Sequence, residues 1–153
     1  MNNTKLGSII CCSIILIFTQ DLRASLGDTV ESIKNDQKTL LAVRHNVVSN
    51  DGYTVEEIAS GAVTVREYVS ASGVVFGVAW SGRIHPDLTQ LLGSYFTEYQ
   101  NAAAQNPPVR GRKNHIVKSD NLVVEKWGHP RNLQGHAFLT RLLPSGVSPD
   151  EIK

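Results

Sequence analysis

Over 53–82 the chain reads YTVEEIAS, GAVTVREYVS and ASGVVFGVAWSG, three runs rich in β-branched and aromatic residues. Ser60-Gly61 and Ala71-Ser72-Gly73 part the runs, which is the spacing of an antiparallel meander. A preceding strand is expected through Val47 and Val48, turning at Asn50-Asp51-Gly52. Further strands are expected over 115–118, 122–128 and 132–143, before a polar tail, 144–153.

The apolar period changes from two to helical in two places. Asp28 followed by Glu31 has capping-box spacing, and Val30, Ile33, Leu40 and Leu41 then share one side of a helix ending near residue 41. Pro86 and Asp87 open a second helix, whose Leu88, Leu91, Leu92, Tyr95, Phe96 and Tyr99 form a single stripe. It fades into Asn106-Pro107-Pro108 and the basic run Arg110-Gly111-Arg112-Lys113, so 105–114 is expected to be an exposed loop. The fold expected for 25–153 is one α+β domain, an antiparallel sheet of about six strands with two helices packed on one face. Val65, Phe76, Val78, Trp80, Leu88, Leu92, Phe96, Val124 and Phe138 are its expected core. A faint internal echo aligns Val65-Arg66-Glu67 with Val123-Val124-Glu125 and carries Gly77, Ala79 and Trp80 onto Gly135, Ala137 and Phe138.

The first 24 residues follow another logic. After the single early cation Lys5, the stretch LGSIICCSIILIFT is apolar or small throughout and ends at Gln20, Asp21 and Arg23. Such a run is shorter than the roughly 20 residues of a spanning helix and has the layout of a secretory signal peptide, with a cut expected after Ala24. Cys11 follows Ile10 in the middle of the run, which argues against lipid attachment. A chain trimmed after Ala24 keeps 129 residues, no cysteine, and thirteen basic against thirteen acidic side chains. It must hold its fold without disulfides, and it lacks the basic excess that supplies the phosphate contacts of nucleic-acid binding. No membrane span is expected after cleavage.

YTVEEI, VREYVSASGVVFGVAW, PDLTQLLGSYFTEY and the early ASLGDTVESIKNDQ together resemble a bacterial family of small exported proteins classed only as a domain of unknown function. The resemblance covers nearly all of 25–153, is most specific from VREYVS to LLGSYF, and is looser after Gln105. It implies export, a shared fold and the envelope of a Gram-negative bacterium. It carries no catalytic residue, substrate or cofactor.

Candidate chemistry is sparse. Strand alternation places Glu67 on one face with Val63, Val65 and Val69, a carboxylate among valines. Its plain reading is an ion pair with Arg83, Arg131 or Arg141, or an edge position reaching solvent; its functional reading is an acid with a raised pKa, coupled to Glu125. His85 and Asp87 flank Pro86 at a helix start, where an anion is favoured, although capping by Asp87 explains the same residues. The five histidines, His45, His85, His115, His129 and His136, make no zinc pattern, and no metal or cofactor is expected. Glu67, His85, Asp87 and Glu125 are thus the candidate ligand-binding residues. The favoured function is a non-catalytic envelope module, exported to the periplasm or beyond. It would bind a partner protein, peptide or cell-wall component through the sheet's open face or an edge strand. The alternative is a small hydrolase or lyase using Glu67 and Glu125.

Overall fold

Seven antiparallel strands form one sheet, in the order β1-β2-β3-β4-β7-β6-β5, in the computed structural model, which describes residues 25–29, 43–50 and 52–153. The strands are β1 (Val43–Asn50), β2 (Tyr53–Ser60), β3 (Val63–Ser70), β4 (Val75–Gly82), β5 (Asn114–Lys118), β6 (Leu122–His129) and β7 (Asn132–Leu139). Two meanders, β1 to β4 and β5 to β7, meet through the β4–β7 pairing at the centre. The expected signal peptide and most of the expected first helix lie outside the described residues. The expectation of about six strands and two helices is therefore corrected to seven strands and one helical layer among the described residues.

That layer is α1 (Leu88–Leu92), a 3-10 turn (Gly93–Tyr95) and α2 (Phe96–Gln105). Asp87 caps it, its carboxylate accepting from the Thr89 N–H at 2.9 Å. The turn at Gly93 is forced by packing. Its φ is +50°, and a Cβ there would collide with Ser25. The segment Ser25–Leu26 can thus lie against the helix, with the Leu26 N–H donating to the Leu91 carbonyl and Leu26 fully buried. The Gly27 N–H donates to the Val75 carbonyl and the Val75 N–H to the Asp28 carbonyl, which pins this segment to the start of β4.

The sheet carries a core on each face, where the sequence led us to expect one. Facing the helix are Val78, Trp80, Val117, Leu122, Val124, Ala137 and Leu139, with Leu91 and Leu92 of α1 packed against them. Val65, Leu88 and Phe96, expected in the core, are only partly buried against it. The second core holds Tyr53, Tyr68, Phe76, Ala79, Phe138 and Ile152. Phe76 reaches that face because β4 bulges. Tyr68 pairs with Gly77 and Val69 with Val75, so Phe76 is skipped and the alternation shifts by one residue.

The tail closes the second face. It is not simply polar: Ser148 caps a 3-10 turn, Pro149–Glu151, in a complete capping box, and this sets Ile152 against the sheet. Ile152 has no solvent exposure and lies over Gly77, where a Cβ would come within 2.9 Å of its Cδ1. Side chains of the sheet grip the following main chain. His136 Nδ1 lies 2.7 Å from the Ile152 carbonyl, the Tyr68 hydroxyl exchanges bonds with the Lys153 N–H and carbonyl, and Arg66 donates to the same carbonyl at 2.9 Å. The middle of the face expected to lie open is therefore covered by the chain itself.

Candidate functional site

On the helix face, Trp80 of β4 pairs with Gly135 of β7, and Gly135 pairs with Lys126 of β6. Without a side chain at Gly135 the Trp80 indole lies across β7; a Cβ there would overlap its ring. The indole N–H donates to His85 Nδ1 at 2.9 Å, and the two rings meet edge to face at 6.2 Å. Lys126 Nζ donates to the Tyr99 hydroxyl of α2 at 2.7 Å and stands 5.4 Å from the centre of that ring. Phe96 extends the aromatic wall beside Tyr99, at 6.1 Å between ring centres. A tryptophan, a histidine, a lysine and a tyrosine from β4, the loop after it, β6 and α2 are thus gathered in the corner where one end of strands β4, β7 and β6 meets the helix.

Hydrogen-bond chemistry fixes what the corner presents. An indole N–H can only donate, so His85 Nδ1 must accept, and the proton of the neutral ring sits on Nε2. Burial lowers the pKa of His85, and the charge of Lys126 lowers it further, so the ring is held neutral. Its lone pair is spent on Trp80. What remains is an N–H donor near an ammonium that has given only one of its three hydrogens to Tyr99. Two donors beside an aromatic wall suit a carboxylate or another small anion.

The remaining sequence candidates are placed differently. Glu67 does face the helix side with Val63, Val65 and Val69, as strand alternation predicts. Directly opposite it on β2 is Glu56, and both carboxylates are buried, at 4% and 6% exposure. Neither is without a partner. Of the arginines proposed for Glu67, Arg83 donates to the Gly61 carbonyl, and Arg131 and Arg141 are exposed at turns. Glu125 pairs with His136 on the opposite face, 3.6 Å from its Nε2. The sheet therefore separates Glu67 from Glu125, and the coupled carboxylates expected from the sequence do not share a site. Asp87 is occupied as a helix cap, while His85 joins the corner above. Lys126, Trp80 and Tyr99 were not among the sequence candidates. The one available signal was a glycine, Gly135, inside a strand pattern, which marks a close approach.

On the other face a second polar row crosses the sheet, with Arg66 bridging Glu57 at 2.8 Å and His136 against Trp127 at 5.3 Å between ring centres. It serves the tail through Arg66 and His136. No group of three or more metal-ligating side chains lies together among the described residues, and no helix among them is long and apolar enough to cross a membrane.

Among curated proteins, none matches the chain. Of solved structures, a cysteine-rich secretory protein from Staphylococcus aureus subsp. aureus Mu50 is similar at 13% identity and a TM-score of 0.49. The match covers 77% of this chain and 46% of that one, so the chain spans just under half of its length. A family model described as "Protein of unknown function (DUF2844)" matches residues 22–152, nearly all of the folded region just described, and the chain belongs to that family.

Proposed function

We propose that the protein is exported to the bacterial envelope and serves there as a non-catalytic binding module, holding a carboxylate-bearing partner at the corner formed by Trp80, His85, Tyr99 and Lys126. One observation carries this reading: the Trp80 N–H occupies His85 Nδ1. A histidine that acts as a general base must offer a lone pair to its substrate, and the only lone pair of this neutral ring is already taken. A histidine that binds an anion must offer an N–H, and Nε2 supplies one. Lys126 adds charge, and the aromatic wall favours a partner whose carboxylate adjoins an apolar group. Export rests on the apolar stretch 6–19 and the charged residues after it.

Equilibrium binding of a fluorescent acidic peptide to the wild type, Lys126→Gln and His85→Gln tests the reading. A hydrogen bond to a charged group contributes about 1.5–3 kcal/mol, so each substitution is expected to weaken binding by roughly 10- to 100-fold. Equal affinity for all three proteins, or turnover that survives in both variants, would contradict it.

A further inference from the structure

The loop between α2 and β5 is exposed throughout residues 104–114. Pro107 and Pro108 end the helix. The Arg112 N–H then closes a turn onto the Val109 carbonyl at 3.1 Å, with Gly111 at a φ of +89°. The turn holds Arg110, Arg112 and Lys113 together in solvent, and Val109 beside them is 58% exposed, the highest value among the large apolar residues described. No acidic residue occurs between Glu98 and Asp120. Glu98 is occupied by Ser119, and Asp120 follows the far end of β5, about 20 Å of extended strand from the loop. In a chain whose charges nearly balance overall, this end of the sheet is locally basic.

We propose that the loop of Val109, Arg110, Arg112 and Lys113 is a membrane-surface contact, which docks the protein on anionic phospholipid headgroups. The cations supply attraction to the surface potential, about fivefold in partitioning per side chain. The apolar residue decides between a bilayer and a soluble polyanion. Val109 gains from a hydrocarbon boundary and nothing from a chain of phosphates in water. This contact lies on a different element from the carboxylate corner and stands whether or not that reading holds.

The test is co-sedimentation of the full chain with vesicles of phosphatidylcholine alone or mixed with phosphatidylglycerol. The wild type is compared with the triple variant Arg110→Ser/Arg112→Ser/Lys113→Ser and with Val109→Ser. Any contribution of the apolar stretch 6–19 is common to all three proteins. The triple variant is expected to lose affinity for the anionic vesicles on the order of 100-fold, with no change on phosphatidylcholine. The difference should vanish in about 1 M salt, where the Debye length is near 3 Å. Val109→Ser should weaken vesicle binding several-fold. Equal sedimentation of wild type and triple variant on anionic vesicles overturns the proposal. So does loss of vesicle binding to soluble polyphosphate at matched phosphate concentration combined with no effect of Val109→Ser, because the loop would then read a soluble polyanion. Circular dichroism confirms that the exposed substitutions leave the fold intact.

Discussion

Trp80 donates its indole N–H to Nδ1 of His85 at 2.9 Å, and this one bond sets the tautomer of the imidazole. It couples the centre of the sheet to the loop entering the helix, so protonation of His85 must also break a contact of the core. The pKa of His85 is lowered by burial first and by Lys126 second. The folded state thus binds the proton less readily than the unfolded chain does. Stability from this group is present above pH about 6.5 and is lost as pH falls through the folded value. Melting temperature is expected to fall between pH 7.5 and pH 5, and His85→Gln should flatten that part of the profile. An unchanged profile in the variant would remove His85 as the cause.

Gly135 is the geometric condition for the corner. Gly135→Ala places a methyl group where the Trp80 ring lies, with the Glu125 carbonyl 2.7 Å away on the other side. Overpacking of this kind costs about 1–3 kcal/mol. Chemical denaturation should show that loss. Wild-type stability in Gly135→Ala would mean that the ring has room to move.

Ile152 should be worth more than its place in a polar tail suggests. Removal of a fully buried isoleucine costs about 2–5 kcal/mol, so Ile152→Ala is expected to be among the more damaging single changes in the last ten residues. Glu151 supports it from the neighbouring turn. Its carboxyl is held below the usual range by the Ser148 N–H and then by the Tyr53 hydroxyl. Denaturant titration of Ile152→Ala and Leu142→Ala separates the roles: Leu142 is 40% exposed and should lose little.

Phe96 provides the opposite case. As the stripe of the second helix it invites a full-burial estimate of about 3–5 kcal/mol for truncation to alanine. It is only partly buried beside Tyr99, so Phe96→Ala should cost closer to 1–2 kcal/mol. A loss at the higher figure would place that ring under a covering element.

These cases show where the sequence was legible. The β2–β4 meander, the placement of Glu67 among valines and the Asp87 cap are local patterns, readable from alternation and capping chemistry. Ile152 was not legible, because a single apolar residue in PDEIK has no period. The echo aligning Glu67 with Glu125 misled through parity. Val78 pairs with both Glu67 and Ala137, and Ala137 with Val124, so β6 shares the face of Glu67 through Leu122, Val124 and Lys126, and Glu125 points the other way. The two hairpins differ in their turns, and only one contains the bulge at Phe76. The corner itself depends on strands β4, β7 and β6 lying side by side, a long-range pairing that no local pattern reveals.

The most direct measurement follows the two indole N–H resonances by NMR while benzoate is added to the protein. Trp80 and Trp127 are the only tryptophans, and they lie on opposite faces of the sheet, so one reports on the corner and the other is an internal control. The binding account predicts that the Trp80 resonance moves in a saturable way, that Trp127 stays still, and that Lys126→Gln abolishes the shift. A still Trp80, equal movement of both resonances, or an undiminished shift in Lys126→Gln would contradict it.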